Sequence, residues 1–349
     1  MKEKFLEVKN IGYKIGEKNI INDISFSLQK GEVLSILGPS GSGKSTILRT
    51  IAGLIKPSTG SIKLINNILS SDNAFISTGK REIGLMFQED VLFPHYTVYQ
   101  NIEFGIKSKN KQVKKETVKN ILKTFKLSQI GDLYPEKISG GEKQRVALAR
   151  ILITKPKVLL MDEPFSSLDF NLRKEISNYT IKLLKNSNIS VIFVTHDVKS
   201  AFKVSDRMLI VNEGKILQND IPMNIYNRPD SKFIAEFIGE TNEIEANINK
   251  KGEIFTPFGR VKCLSNQTNI KDCNKKHYCL IRPKDIIISD NGISCKVLEK
   301  EFLGSNWEYT VLIDKNTPVM KIKSDKSNIE KNKFIKLKID TNKILVFTK

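Results

Sequence analysis

Gly38-Pro39-Ser40-Gly41-Ser42-Gly43-Lys44-Ser45-Thr46 is the stretch that most narrows what this chain can fold into. It has the spacing G-x-x-x-x-G-K-[ST], which carries meaning only between a strand and a helix. Both flanks are present. The apolar run Val33, Leu34, Ile36, Leu37 precedes it, and Ile47, Leu48, Ile51, Ala52 follow at helical spacing. Glycines let successive backbone N–H groups turn inward as an anion nest, and the helix start adds the positive end of its dipole. Lys44 is then placed to reach the β- and γ-phosphates of a nucleotide, and Ser45 to ligate Mg²⁺. A buried strand that ends in such a turn implies an α/β core.

Further apolar runs support that core. Val158-Leu159-Leu160-Met161, Val191-Ile192-Phe193-Val194 and Met208-Leu209-Ile210-Val211 read as strands, and helical stretches separate the first two. Continuous runs of this kind suit parallel strands covered on both faces. Asp162 and Glu163 follow the first run directly, and His196 follows the second. Ligands of open α/β sheets bind at such carboxyl ends. A carboxylate there can hold Mg²⁺, and the next can polarise an attacking water. Ile138-Ser139-Gly140-Gly141-Glu142-Lys143-Gln144-Arg145 opens another helix, and Ser139-x-x-Glu142 has capping-box spacing. Its two glycines again expose N–H groups at a helix start to an anion. Val118, Ile121, Leu122 and Phe125 define one packed helix face.

The totals restrict the setting. At 349 residues and 40% apolar content the chain has room for two or three domains. No apolar run approaches the roughly 18 residues of a spanning helix. The start, Met1-Lys2-Glu3-Lys4-Phe5, lacks a signal-peptide core, so a cytosolic chain is expected. The net charge of +19 comes from lysines spread end to end. Without a basic stripe interleaved with aromatics it gives no reason to expect nucleic acid as a partner, while weak attraction to an anionic membrane surface stays open. Cys263, Cys273, Cys279 and Cys295 form no C-x-x-C pair and read as free thiols.

After about residue 240 the texture becomes all-β. Short strands are expected at Glu243 to Ile248, Tyr278 to Ile281, Ile286 to Ile288, Ile293 to Leu298, Tyr309 to Ile313, Val319 to Ile322, Phe334 to Ile339 and Ile344 to Phe347. Pro222 to Gly239 reads as a helix-containing linker.

Taken in order, the phosphate loop, Gln88, Ser139-Gly140-Gly141, Asp162-Glu163, Ser166-Ser167-Leu168-Asp169 and His196 make the chain resemble the ATPase subunit of an ATP-binding-cassette (ABC) transporter, over residues 3–235. The resemblance implies a P-loop NTPase core at 1–235 with a helical subdomain at about 89–150. It implies a head-to-tail homodimer with ATP and Mg²⁺ held between Gly38–Thr46 of one copy and Ser139–Gly141 of the other. Glu163 is then the catalytic base, His196 the γ-phosphate sensor, and Gln88 the link from Mg²⁺ to the membrane partner. Ser45, Gln88 and Asp162 form the metal set, and Asp169 lies in the loop that contacts the opposite site. The helical insert docks on an integral membrane permease, which places the chain peripherally on the cytoplasmic face and links it to an extracytoplasmic solute-binding protein.

Residues 236–349 resemble the small β-barrel (OB-like) regulatory domain of importer ATPases, through Phe237-Ile238-Gly239-Glu240, Ile281-Arg282-Pro283-Lys284-Asp285 and Glu301-Phe302-Leu303-Gly304. Leu92-Phe93-Pro94-His95 with Asn101-Ile102 points the same way. The combination is similar to importers of ferric iron, spermidine/putrescine, sulfate, molybdate or sugars, with a lean to the first two. A soluble cassette ATPase acting on ribosomes or DNA is the alternative class, but such members carry two cassettes or long coiled coils. The chain departs from the family's pattern at Ile138 and Glu142, where Leu and Gln are usual. Ile15 stands where an aromatic usually stacks on adenine, with Tyr13 on the same strand as a substitute.

Overall fold

The structure, a computed structural model, describes residues 5–87, 92–165, 170–249, 253–261, 277–314, 317–340 and 343–348. The chain divides into two compact units, Met1–Pro222 and Met223–Lys349.

In the first unit the elements run β1 (Leu6–Ile15), β2 (Lys18–Leu28), β3 (Val33–Leu37), α1 (Lys44–Ala52), β4 (Thr59–Leu64), β5 (Asn67–Ser70) and β6 (Ile83–Met86). Three helices follow, α2 (Val98–Glu103), α3 (Lys111–Thr124) and α4 (Gly140–Leu152). The core then closes with β7 (Val158–Asp162), α5 (Phe170–Asn186), β8 (Ser190–Val194), α6 (Val198–Val204), β9 (Arg207–Asn212) and β10 (Lys215–Asp220). Six strands form one sheet in the order β10-β9-β3-β8-β7-β6. β3 lies parallel to both β8 and β9, and β7 lies parallel to β6 and β8. Every residue of β3, β7 and β8 is buried, which is why their runs show no alternation. β1, β2, β4 and β5 form a separate antiparallel sheet in the order β2-β1-β4-β5. Leu34, Ile36, Leu160, Ile192 and Val194 pack with Ile47, Leu48 and Ile51 of α1 in one core. Full burial of such side chains is worth roughly 1.5–3 kcal/mol each. In α3 Asn110 caps the start, and Val118, Leu122 and the adjoining Phe125 are buried as expected.

The second unit carries two short helices, α7 (Pro222–Asn227) and α8 (Lys232–Ile238), then strands. These are β11 (Asn242–Ile248), β12 (Ile254–Thr256), β13 (Gly259–Val261), β14 (His277–Ile281), β15 (Ile286–Phe302), β16 (Trp307–Leu312), β17 (Met320–Ser324), β18 (Phe334–Ile339) and β19 (Leu345–Thr348). They form two antiparallel sheets, β13-β12-β11-β14-β19 and β17-β16-β15-β18, around one core that includes Ile244, Cys279, Val297, Tyr309, Met320 and Leu337. This is the all-β domain expected from the strand pattern, and it is consistent with the OB-like fold that the resemblance implies.

Two details differ from the sequence reading. The runs at Ile286 to Ile288 and Ile293 to Leu298 belong to one strand, β15. Ser289 to Gly292 read as a turn, but they loop out as a bulge, and Ile288 and Ile293 both oppose Leu337. A Cβ on Gly292 would lie 2.2 Å from Leu337 O, so a glycine lets the two strands stay in contact there. The second difference is the seam, which falls after Pro222 rather than at 235/236. Ala235 packs with Leu280, Leu345 and Phe347, and the buried Arg282 donates to Ala235 O at 2.7 Å and Gly239 O at 2.6 Å. Those contacts attach α8 to the β unit. Cys279 and Cys295 are buried, and burial pushes the Cys295 thiol up to about 11. Cys263 and Cys273 lie outside the described residues.

Candidate functional site

Register brings the candidate residues to one level. Ile36 of β3 pairs with Val194 of β8, and Val194 pairs with Asp162 of β7. The chain leaves these three neighbouring strands one or two residues later as Gly38, Glu163 and Thr195-His196. Parallel order therefore gathers the phosphate loop, the acidic pair and the histidine at one carboxyl edge.

The loop is built for close backbone approach. A Cβ on Gly38 would meet Val211 O at 2.0 Å, and one on Gly43 would meet Ile20 O at 2.9 Å. Gly43 also caps α1 in the left-handed region, with φ +98°. The Lys44 ammonium donates to Gly38 O at 3.0 Å and Pro39 O at 2.7 Å. Burial lowers its pKa, and the nearby charges of Glu163 and Asp162 partly oppose that. Among the described residues the buried Ser42 hydroxyl has no hydrogen-bond partner. An orphaned donor inside a loop of inward amides beside a lysine fits a bound phosphate chain.

Ser45 Oγ donates to Asp162 Oδ1 at 2.9 Å, although 117 residues separate them. Burial raises the Asp162 pKa, while the Ser45 hydroxyl bond and the Arg49 charge hold it back. Among the described residues no cluster of three His, Cys, Asp or Glu side chains could hold a metal by itself. The paired oxygens of Ser45 and Asp162 suit Mg²⁺, which keeps few protein ligands and takes others from phosphates and water.

Glu163 has φ +47°, an uncommon backbone for a residue with a side chain. Its N–H donates to Val194 O at 3.0 Å, and its Oε2 lies 3.0 Å from His196 Nδ1. An ionised carboxylate only accepts, so Nδ1 carries the proton in that contact. Asp197 caps α6 by accepting from Lys199 N and Ser200 N, which sets the backbone just after His196. An acceptor aimed from a strand tip and steadied by an imidazole can take a proton from water.

The glycine pair of Ser139-Gly140-Gly141 opens α4 as expected. Ser139 N–H and Oγ donate to Glu142 Oε2 at 2.8 Å and 2.7 Å, and Glu142 N–H returns to Ser139 Oγ at 3.4 Å. The Glu142 charge is thus taken up by its own cap. Those bonds to Ser139 hold its pKa below the ordinary value. A depressed carboxylate pKa means the cap is fully formed at neutral pH and is lost as pH falls through the folded value.

Tyr13 is half-buried against the core of the first unit, whereas Ile15 is 61% exposed near the tip of the β1–β2 hairpin. Gln88 and Asp169 lie outside the described residues.

Some groups around the site carried no signal in the sequence. Arg81, 1% exposed, donates to Thr50 O and Ile51 O at the end of α1 and to Leu69 O, Ile76 O and Ser70 Oγ. Asn101 holds the Phe93–Thr97 loop through Phe93 O, Tyr96 O and Thr97 O. Beside that loop Arg150 stacks over Phe93 at 5.0 Å, and Phe104 is 63% exposed. Phe93, Phe104 and Arg150 line a groove of about 740 Å³ that also includes Gly84, Lys107 and Thr154.

Comparison with known proteins agrees with this geometry. Residues 21–166 match the ABC transporter family. The chain is 39% identical to the Fe(3+) ions import ATP-binding protein FbpC of Fusobacterium nucleatum, across 98% of this chain and 93% of that protein. It is 36% identical to the spermidine/putrescine import ATP-binding protein PotA of Haemophilus ducreyi, across 89% and 86%. Among solved structures, cbiO1 from Clostridium perfringens, part of an ABC transporter complex, superposes with a TM-score of 0.59 at 30% identity over 64% of this chain and 90% of that one. A dimeric ATP-binding cassette in a post-hydrolysis state with ADP and phosphate superposes at 0.55, with 30% identity over 62% and 98%. With the phosphate loop, Asp162, Glu163 and His196 on one sheet edge and these likenesses along nearly its whole length, the chain belongs to the ABC transporter family as an ATP-binding, ATP-hydrolysing member.

Proposed function

We propose that this chain is the ATPase subunit of a ferric-iron importer. The observation that carries the solute is the likeness to a ferric-iron import ATPase across 98% of the chain, which includes the β unit as well as the core. Spermidine/putrescine import is the second reading, on the likeness to PotA. The core hydrolyses ATP, and residues 236–349 act as its regulatory domain.

In this reading Gly38–Thr46 wrap the phosphates, and Lys44 turns its ammonium from the carbonyls of Gly38 and Pro39 toward them. Ser45 and Asp162 would hold Mg²⁺, whose charge would neutralise the terminal phosphates when bound. Glu163 accepts the proton of the attacking water, and His196 orients that carboxylate and faces the γ-phosphate. Ser139–Gly141 complete the site of a second copy. Gln88 and Asp169 connect the two sites and the permease. The Phe93–Phe104–Arg150 groove receives a permease helix, since an exposed aromatic floor beside cations suits an amphipathic segment with acidic residues. No helix among the described residues is long and apolar enough to cross a membrane. The chain therefore sits peripherally, at the inner face, beneath a permease fed by a solute-binding protein.

Two departures give testable effects. Ile15→Tyr is expected to bind ATP about fivefold more tightly than wild type, because stacking on a base is worth roughly 1–3 kcal/mol. An unchanged ATP affinity would remove position 15 from base recognition. Glu142→Gln keeps the cap but removes the charge from a phosphate-facing helix start. The ATP concentration for half-maximal turnover is expected to fall about threefold, in keeping with roughly 0.3–1 kcal/mol for a charge at a helix end. An unchanged value would show that Glu142 does not act on nucleotide.

The test of the solute is uptake of labelled ferric iron and labelled spermidine in cells lacking this chain, and in the same cells with it restored. Restored iron uptake alone supports the proposal. Restored spermidine uptake alone selects the second reading, and restoration of neither rejects both.

A further inference from the structure

We propose that Gln144 is a positioning residue for hydrolysis: it grips the peptide that follows Glu163 and so ties the aim of that carboxylate to the helix carrying Ser139–Gly141. The inference rests on Glu163 being the base.

Gln144 lies one turn into α4, on its inner face, and is 2% exposed. Its Nε2 amide donates to Pro164 O, across twenty residues of sequence. Pro164 directly follows Glu163. A proline has no N–H, so its carbonyl is the one backbone polar group that Pro164 itself offers. A residue before proline is also steered away from helical backbone toward extended forms. Glu163 nevertheless has φ +47°, and such a conformation persists only when its surroundings over-determine it.

Three contacts do so. Val194 O takes the Glu163 N–H from one side, His196 Nδ1 meets its carboxylate, and Gln144 fixes the peptide beyond it. The first two come from β8 and the residues just after it, inside the sheet. Gln144 comes from α4, whose N-terminal turn is the Ser139–Gly141 motif, cap included. Residues 140 and 144 are one helical turn apart, about 6 Å of rise, within a rigid element. When Ser139–Gly141 of this copy engage nucleotide held by the second copy, α4 carries that displacement to Pro164 and Glu163. The carboxylate that serves one site is thereby set by occupancy of the other.

The residue type fits the role. Among the described residues the buried Gln144 Oε1 has no hydrogen-bond partner, so the contact the side chain makes there is through its donor. A glutamate of equal length would present a lone pair to Pro164 O when ionised, and an O–H donor when protonated. Burial raises the pKa of such a carboxyl, which brings its protonation into an accessible range.

The experiment compares basal ATP turnover and ATP affinity of the full chain in wild type, Gln144→Glu, Gln144→Leu and Glu163→Gln at about pH 8.5 and about pH 6. Turnover of Gln144→Leu is expected about thirtyfold below wild type at both pH values, with ATP affinity within about threefold, since small misplacement of a reacting group costs up to about a hundredfold. Gln144→Glu is expected equally low at the higher pH and within about fivefold of wild type at the lower, because protonation restores the donor. Each variant is read against wild type at the same pH. Identical deficits of Gln144→Glu and Gln144→Leu at both pH values would overturn the proposal, as would wild-type turnover in Gln144→Leu. Loss of ATP affinity in step with turnover would show a merely structural residue and overturn it too. If Glu163→Gln turns over like wild type, the base assignment itself fails. A dead Glu163→Gln beside an active Gln144→Leu removes only the present inference.

Discussion

Glu163→Gln is expected to lower ATP turnover by the purified chain about a thousandfold while leaving ATP affinity within about threefold of wild type. The carboxylate stands at a strand tip, held at φ +47° with its Oε2 3.0 Å from His196 Nδ1. An amide of the same shape fills that space but has no basic oxygen to take a proton from water. General-base contributions run to about 10²–10⁴, and the middle of that range is expected here. Binding should survive because the phosphate contacts come from other residues. Lys44, Ser42 and Ser45 lie on the loop and the first turn of α1. The measurement is steady-state phosphate release beside a fluorescent-nucleotide titration. Unchanged turnover would take Glu163 out of the chemistry. Lost affinity would mean that the substitution disturbs the loop and not the proton transfer.

Arg81→Met is expected to destabilise the first unit by about 3–5 kcal/mol, because several buried acceptors lose the donor that pairs them. No side chain of similar volume replaces this guanidinium. It supplies bonds to Thr50 O, Ile51 O, Leu69 O, Ile76 O and Ser70 Oγ, and it lies 5.0 Å from the centre of the Phe75 ring. Two of those carbonyls close the C-terminal end of α1, where a cation also meets the negative end of the helix dipole. Burial pushes the guanidinium pKa down to about 10, so it still carries its proton at neutral pH. The substitution leaves the acceptors dry and unpaired, each worth roughly 1–3 kcal/mol before relaxation. Thermal unfolding should move down by on the order of 10 °C for a unit of this size. A shift under about 2 °C would show that water or a neighbouring side chain takes over those carbonyls. Since α1 carries Lys44 and Ser45, ATP affinity is expected to weaken with stability.

Much of the site was legible because its parts are local. A strand, a glycine turn and a helix are consecutive in sequence, and so are Val158–Met161 with Asp162-Glu163 and Val191–Val194 with His196. Parallel pairing of β3, β8 and β7 then follows from three fully buried runs. Arg81 was not legible, because its partners are mostly carbonyls at positions 50 to 76, and carbonyls leave no mark on a sequence. Gln144 could be quoted from its motif but not given a role, since its partner is the backbone of Pro164. Tyr13 looked available from strand alternation. Register shifts on both sides of it in the β1–β2 pairing break simple alternation, and the ring packs inward while Ile15 is exposed. In the second unit, Ser289-Asp290-Asn291-Gly292 has turn composition but is a bulge within one long strand. Composition marks where a backbone can bend and says less about whether the strand resumes beyond it.

The central claim is that Gly38–Thr46, Asp162, Glu163 and His196 make a hydrolytic ATP site that a second copy completes through Ser139–Gly141. It is tested most directly by light scattering of Glu163→Gln during gel filtration with labelled ATP and Mg²⁺. The account predicts a particle of twice the chain mass of 39.6 kDa that carries one ATP per chain, and that is lost when Ser139 is replaced by a bulky residue. A particle of single-chain mass that holds ATP, or a dimer that forms equally without nucleotide, would contradict it.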